Sequence, residues 1–398
     1  MGILLKRKPE SFHLNRITKL AIVGLLCSLS FAYINTIWAV YLDSFISSTV
    51  VIGFFSAFLT VIGFLACFLF IPIIEKNNKA KLFSISLVLF IIAYLLFAFT
   101  KNFYLMILLS IFVTLVYALR MASFGILIKD NSSGKKLSKN EGMIYTLMNV
   151  SWVVGPLVAG YVAAGFGIRS VFILAAIFIA VGLLFFKLAR INGKKRKNGK
   201  DNNILKNFLA FFSHKKRVVA YFLGAGVNFW WALIYLFIPL MILHSGLGDL
   251  EIGYFLFAVA VPLISFEYFF SKWAGKHGFS GLFKLGYFIV AVFSISCFFF
   301  SNIYIILALL ALASIGMAML EPTTEAYFFD ILKKEEIDRF YGPYNTAVDT
   351  GSFIGKFFAS ILLILLPFKF IFLLFGGVMF TLFLLSFKTK NIVESKKL

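Results

Sequence analysis

Residues 142–156, GMIYTLMNVSWVVGP, return in altered form at residues 342–356, GPYNTAVDTGSFIGK. The two stretches align without gaps at an offset of 200 residues, and two glycines and a threonine are identical between them. An internal repeat of this kind predicts that the chain folds as two equivalent halves. The same register holds upstream, where it pairs Asp130 with Asp330 and Gly53 with Gly253.

The rest of the chain is strongly apolar. It has 398 residues, of which 61% are hydrophobic and 14% are charged, and its mean hydropathy is +0.95. Soluble domains are about half apolar and about a quarter charged. The composition therefore excludes an ordinary soluble enzyme, a disordered protein and a disulfide-stapled secreted domain.

Twelve apolar runs are long enough to cross a bilayer, which takes about 20 residues of helix. Because an even number of runs separates equivalent points of the repeat, the halves are parallel. We predict an all-α integral membrane protein of twelve transmembrane helices in two pseudo-symmetric six-helix bundles. The bundles span residues 1–189 and 218–398, joined by a basic linker at 190–217. The runs are 20–42, 50–74, 82–100, 103–128, 143–165, 169–189, 218–243, 252–271, 281–300, 303–328, 343–366 and 369–387.

Lysine and arginine residues predict the orientation. With both termini cytoplasmic, 33 of the 38 fall in the tails, the inner loops and the adjoining helix ends, and three fall on the outer side. This bias predicts that both termini are cytoplasmic. It also accounts for the net charge of +21 without a nucleic-acid partner. We interpret the linker as a solvated loop near anionic lipid.

The most specific motif lies in the fifth span and reads Gly142-x8-Ser151-x3-Gly155-Pro156-x2-Ala159-Gly160. It resembles the fifth-helix antiporter motif of the major facilitator superfamily, with Ser and Ala in place of two of its glycines. Together with the twelve spans and the repeat, it makes the chain similar to the drug:proton antiporter branch of that family. The resemblance implies two bundles that rock around a substrate site near the midplane.

A more divergent match to the same family lies between the second and third spans. There Glu75 and Lys76, followed by Lys79 and Lys81, stand for the acid and the bases of a family loop motif whose glycines are absent. Small residues also recur every four positions on the fifth and eleventh spans, which favours close helix packing. We expect these faces to meet the eighth and second spans and to form the surfaces on which the halves rock.

Charged residues inside the spans are costly unless they are paired or hydrated, which makes them candidate functional residues. Arg120, Glu321 and Asp349 lie roughly 10–12 Å from the inner surface at 1.5 Å per residue. Lys356 is near the middle of its span, roughly 15 Å from either surface. It shares a helix face with Asp349, so it either serves the cavity or forms a structural pair.

Two further arrangements follow from these charges. The family fold places the fourth and tenth helices across a central cavity, so Arg120 and Glu321 either meet or face opposite sides of a substrate. Glu321 and Glu325 share a helix face, and nearby carboxylates resist simultaneous ionisation. We therefore predict Glu321, Asp349 and Glu325 as proton-coupling residues, with a fixed buried ion pair as the alternative.

Aromatic and amide side chains on the first and seventh spans are candidate substrate ligands, because the family lines its cavity with these helices. They are Asn35, Trp38, Trp231 and Tyr235, and we add Lys356 and Arg120 to this set. Such a lining suits an amphipathic or aromatic substrate. Ordinary packing is the alternative, since the chain contains 52 phenylalanines.

The sequence thus predicts a secondary transporter of the inner (plasma) membrane that exports a small amphipathic or drug-like molecule in exchange for protons. A sugar or nutrient carrier is the alternative, and a membrane sensor or membrane-embedded enzyme is a minor one. The four histidines show no metal-ligand spacing and no stretch is long enough for a nucleotide domain, so we expect no cofactor and no metal. The expected partners are the substrate, protons and lipid, and the expected state is a monomer.

Overall fold

The computed structural model describes residues 15–132, 137–191 and 204–389, which are almost entirely helical. Eleven of the described helices are long and apolar enough to cross a membrane, and a twelfth, α13, is apolar with 17 residues. The bounds are α1 Arg16–Asp43, α2 Thr49–Lys76, α3 Lys79–Phe99, α4 Phe103–Asn131, α5 Leu137–Phe166, α6 Ile168–Leu188, α7 Ile204–Phe212, α8 Lys215–His244, α9 Asp249–His277, α10 Phe279–Ser296, α11 Ile303–Asp330, α12 Lys334–Leu365 and α13 Phe370–Ser386.

The predicted fold class is confirmed: the spanning helices form two bundles, α1–α6 and α8–α13, with each helix of the first equivalent to one of the second. Successive spanning helices alternate in direction, so α1 begins and α13 ends on the same side. We call this side the terminal face and the opposite side the far face.

Inside each bundle, one small-residue contact is repeated at the offset of 200. A methyl group built on Gly155 of α5 would overlap the Ala32 methyl of α1, and one built on Gly355 of α12 would lie 3.0 Å from the Ala232 methyl of α8. Ser151 adds a hydrogen bond from Oγ to the Leu25 carbonyl at 3.2 Å. The helix pairs that we expected, α5 with α9 and α12 with α2, are in contact. Our expectation that these small residues form those contacts is wrong, because Ser151 and Gly155 face α1 and Gly355 faces α8. Both faces pack within their own bundle.

The two bundles meet through a different pair of equivalent positions. A methyl group on Gly160 of α5 would lie 3.0 Å from the Gly253 Cα on α9. At the positions offset by 200, Ser360 of α12 packs closely on Gly53 of α2. A methyl group built on Gly53 would overlap the Ser360 hydroxyl. Both crossings lie in the half of the helices nearest the far face. Close backbone approach at α5–α9 and α2–α12 thus closes this half of the molecule.

Further contacts between the bundles join the same half. The Tyr161 hydroxyl of α5 lies 2.7 Å from the Tyr254 hydroxyl of α9. At the ends of α1 and α8, a ring nitrogen of His244 lies 2.9 Å from the carboxylate of Asp43. These contacts are polar, whereas the glycine crossings are tight and apolar.

The second half of the basic linker departs from the solvated loop that we expected. Residues Ile204–Phe212 form α7, and its Phe211 is fully buried against aromatic residues of the second bundle. Phe208 of α7 faces Phe68 of α2, with ring centroids 6.1 Å apart. Phe211 thus anchors this helix to the second bundle, while Phe208 contacts the first. Residues 192–203 lie outside the described part of the chain.

A local irregularity in α8 has a covalent cause. Leu233–Phe237 form a turn of π-helix immediately before Pro239. Proline has no backbone N–H, so the carbonyl of Tyr235 four residues earlier loses its helical partner. In α11, Pro322 likewise frees the carbonyl of Ala318. Both irregularities adjoin residues of the candidate site.

Candidate functional site

Glu321 and Trp231 form the centre of the candidate site. Trp231 Nε1 of α8 donates a hydrogen bond of 3.2 Å to Glu321 Oε2 of α11. The Tyr235 ring packs on Trp231, with centroids 5.3 Å apart. Among the residues that the structure describes, no cation forms an ion pair with Glu321. The carboxylate is therefore half-buried at mid-depth with one neutral donor.

The first bundle reaches this cluster through Trp152. Its ring lies edge-on to Tyr235, with centroids 5.9 Å apart, and it extends from the middle of α5. Glu267 of α9 is near enough for its charge to interact with that of Glu321. Two acids and three aromatic rings therefore meet where the bundles adjoin. A relative movement of the bundles would change the contact of Trp152 with Tyr235, whose ring packs on the Trp231 donor of Glu321.

Arg120 is a buried charged residue deep in the first bundle, with 2% of its surface exposed. Its guanidinium carbon lies 4.2 Å from the ring centroid of Phe31 and 5.3 Å from that of Tyr117. The expected meeting of Arg120 with Glu321 is not observed, since the two form no ion pair in this structure. Glu321 bonds to Trp231, and Phe31 is the residue equivalent to Trp231 at the offset of 200. In each bundle, a charged side chain thus contacts the aromatic residue at this position: Arg120 contacts Phe31, and Glu321 contacts Trp231.

Lys356 forms a polar contact between the bundles. Its Nζ donates a hydrogen bond of 3.0 Å to Thr60 Oγ1 on α2. Asp349, two turns along the same helix, interacts with Lys356 electrostatically but makes no ion pair with it. Of the two roles predicted for Lys356, the close structural pair with Asp349 is not observed. Its observed partner belongs to the opposite bundle.

The structure separates the other predicted ligands from this cluster. Asn35 donates to the Phe31 carbonyl of its own helix at 2.9 Å, and Trp38 packs on Tyr41 and edge-on to Phe97. Glu325 is exposed and interacts electrostatically with the hydroxyl of Tyr344.

The motif residues fall into two groups. Ser151 and Gly155 pack within the first bundle, whereas Gly160 contacts α9 directly and the Pro156 carbonyl would lie 2.7 Å from a methyl group on Gly253. Lys76 is exposed at the end of α2. Gly142 and Glu75 lie in helical backbone, and their surroundings are outside the described part of the structure.

Sequence reasoning did not select Trp152, Thr60 or Glu267. A tryptophan next to the motif serine was a signal for the first of these. No signal singled out Thr60, because hydroxyls inside spans commonly bond to their own helix. Thr114 does so here, and Thr60 also donates to the Ser56 carbonyl while it accepts from Lys356. In the described part of the chain, no cluster of His, Cys, Asp and Glu is arranged to hold a metal ion.

Two six-helix bundles with a charged and aromatic cluster between them define a membrane transporter. The sequence matches the family model of the Major Facilitator Superfamily over residues 20–266 and 229–397. The chain therefore belongs to this superfamily, and it is a secondary transporter, not an enzyme. A search of curated proteins gives no match.

Solved structures with the same fold are similar over nearly the whole chain. Two POT family transporters, one in complex with a thioalcohol-conjugated peptide and one with 5-aminolevulinic acid, give TM-scores of 0.76 and 0.77 at 12% and 13% identity. In both, 93% of this chain and 95% of the other are covered. The human organic anion transporter MFSD10 (TETRAN) gives 0.68 at 14% identity, covering 93% and 98%. At these identities the likeness establishes the fold.

Proposed function

We propose that the protein exports a small amphipathic molecule in exchange for protons, by rocking of the two bundles around a site near the midplane. The observation that carries this proposal is the Glu321 carboxylate, half-buried where the bundles meet and bonded to one neutral donor. A carboxylate without a fixed cation can exchange a proton when its surroundings change. The glycine crossings supply the surfaces on which such a change occurs.

Asp349 supports the coupling to protons as a second carboxylate. It is half-buried on α12, and it has no ion pair among the described residues. It is near enough to Cys67 of α2 for an electrostatic interaction, which puts it beside the opposite bundle. Movement of α12 against α2 therefore changes its exposure to water. Glu325 is a third, more exposed carboxylate of this set.

The contacts near the far face favour a state in which that face is closed. In the proposed orientation both termini are cytoplasmic, so the far face is the external one and substrate enters from inside. This direction, and membership of the drug:proton antiporter branch, rest on the resemblance of the α5 motif. We propose the inner membrane as the location and a monomer as the unit. We also propose bundle limits of 1–189 and 218–398.

Uptake of a sugar or other nutrient is the second candidate. Asn35, which forms a hydrogen bond within its own helix, would suit a sugar hydroxyl after a change of rotamer. The aromatic rings beside Glu321 favour a more apolar solute.

The proposal is tested with purified protein in vesicles that enclose a pH-sensitive dye. We expect an amphipathic solute to move protons through the wild-type protein, and a sugar to move none. The double variant Glu321→Gln, Asp349→Asn should lose solute-dependent proton movement at least tenfold, which corresponds to about 1.4 kcal/mol. Glu335→Gln, which changes an exposed acid at the start of α12, is the matched control. Proton-coupled flux that survives the double variant would remove both residues as carriers.

A further inference from the structure

The proposed function leaves one buried charge without a role. The Arg120 guanidinium is enclosed at mid-membrane, and its Nε and Nη1 have no hydrogen-bond partner among the residues that the structure describes. Its Nη2 lies 2.9 Å from the sulfur of Met121, and a thioether is a weak acceptor. Arginine cannot shed its charge in a protein. Two charged donors are therefore buried without an acceptor.

The surroundings of Arg120 hold no opposite charge. The faces of Phe31 and Tyr117 cover it, and the titratable groups that interact with it are Cys27 and Tyr94. All of these side chains are neutral in their ordinary state, and no described acid is within ion-pair distance. Aromatic faces stabilise a cation from above and below. They do not accept the hydrogen bonds in the plane of the guanidinium.

The internal repeat shows what the site lacks. Position 121, next to Arg120, aligns with Glu321, and Phe31 aligns with Trp231. The second bundle thus supplies its own carboxylate at this level, and Trp231 bonds to it. The first bundle has methionine at the equivalent position and a cation with free donors. An acidic group is missing in the first bundle and is not supplied by any described residue.

The side chains on one side of Arg120 leave a route for a ligand. Tyr117 and Met121 are 43% and 38% exposed, whereas Phe31 is buried. Methionine is flexible and adapts readily to a new neighbour. A change of the Met121 rotamer would bring a solute into contact with the guanidinium. The ring of Tyr117 would then lie beside the apolar part of that solute.

We propose that Arg120 binds the carboxylate of an amphipathic organic anion, whose apolar body packs against the exposed ring of Tyr117. This inference rests on the proposed function and names the class of its substrate. The carboxylate accepts hydrogen bonds from Nε or Nη1, where a charge-assisted bond is strong in low dielectric surroundings. Substrate charge is thereby recognised by the first bundle, and the second bundle keeps Glu321 for the proton.

The test uses the full chain purified in lipid nanodiscs and three probes of the same shape: naphthoate, the neutral naphthamide and the cation naphthylmethylammonium. We expect naphthoate alone to bind and to raise the unfolding temperature of the wild-type protein. Arg120→Gln should weaken naphthoate binding, measured by calorimetry, by tenfold or more. The affinity of Arg120→Lys for naphthoate should lie between those of Arg120→Gln and the wild type. The matched control is Arg169→Gln, which removes an arginine that also lies over a phenylalanine, near the far face.

Equal affinity of Arg120→Gln and the wild type for naphthoate would overturn the proposal. So would wild-type protein that binds the ammonium probe but not naphthoate, or that binds none of the three.

A ligand-free measurement separates binding from packing. If the charge is kept for a ligand, Arg120→Met should unfold at or above the wild-type temperature, because an unpaired buried charge is removed. A clearly lower temperature would assign Arg120 a packing role and contradict the proposal. Vesicle flux separates the two claims: naphthoate that binds through Arg120 without moving protons supports the site and counts against the proposed exchange. If another solute moves protons and naphthoate does not bind, the proposed exchange is supported and the Arg120 site is contradicted.

Discussion

Lys356 shows how a single buried charge can link the two bundles. It is deep in α12, and its one hydrogen bond ends on Thr60 of α2. The cost of removing one partner from such a contact depends on whether the partner left behind can form another hydrogen bond. A buried ammonium without an acceptor is costly, whereas a buried threonine hydroxyl can bond to its own helix.

We therefore predict an asymmetric double-mutant cycle. Thr60→Val should lower the unfolding free energy by about 1–3 kcal/mol in the wild-type background, because it leaves the ammonium unsatisfied. In a Lys356→Met background the same change should cost much less. Thermal unfolding in nanodiscs measures both, and Thr114→Val, whose hydroxyl bonds within α4, is the control. Additive effects would show that the two residues are not coupled.

At this scale the sequence predicted which residues carry unusual charge but not their partners. Arg120, Glu321, Asp349 and Lys356 stood out because charge is rare and costly inside a span. Their partners are Phe31, Trp231 and Thr60, which are types found throughout the chain. Helix spacing fixes which residues share a face, and it says nothing about the rotation of one helix against the next.

The helices show the same limit in the small residues of α5. Ser151 and Gly155 were correctly identified as a close-packing face, but α1 and not α9 lies against it. Gly160 follows Gly155 by five residues, which turns it about 140° around the helix. One helix therefore carries two small-residue faces, one for its own bundle and one for the other. The motif spacing alone could not assign them.

The second face gives an element-scale prediction. Gly253→Ala should push α9 away from α5, because the added methyl would lie 2.7 Å from the Pro156 carbonyl and 3.0 Å from the Gly160 Cα. We expect solute flux to fall several-fold, with the far face more open. Gly165→Ala on α5, the helix that faces Gly253, is the control, since a methyl group there has open space around it. Equal flux in Gly253→Ala and the wild type would contradict a role for this crossing in transport.

At the scale of the whole molecule, the count and order of the spanning helices and their two-fold arrangement followed from composition and the repeat. The helix α7 did not, because its apolar segment is embedded in the most basic stretch of the chain. Its burial depends on Tyr221 at the start of α8 and on Phe328 and Phe340 of α11 and α12, and the last two are far away in sequence.

The far face is held by a contact that a change of charge can break. Asp43 and His244 join the ends of α1 and α8, and the pair is ionic only when the histidine is protonated. His244 and Lys369 both line a cavity of about 600 Å³ on this face. Lys369 is therefore the other basic residue of that cavity. Removal of the acid leaves two basic side chains together.

We predict that Asp43→Asn shifts the molecule towards opening at the far face. Spin labels at the repeat-equivalent, exposed positions Lys101 and Ser301, introduced as cysteines in a Cys67→Ser background, report the separation of the bundles there. The distance distribution should gain a longer component in Asp43→Asn. An unchanged distribution would show that the other contacts, the glycine crossings and the Tyr161–Tyr254 pair, hold this face without Asp43. Glu251→Gln, which changes an acid at the same face, is the control.

The repeat has a consequence for how such a molecule arises. Two copies of one six-helix ancestor, associating as separate chains, must carry identical residues, so a cation in one copy meets a cation in the other. Fusion of the copies after gene duplication lifts that restriction. In this protein the packing positions have stayed alike, with Gly155 on Ala32 and Gly355 near Ala232. The charges differ, since Arg120 aligns with Leu320 and Glu321 aligns with Met121, and a symmetric dimer cannot carry such a difference.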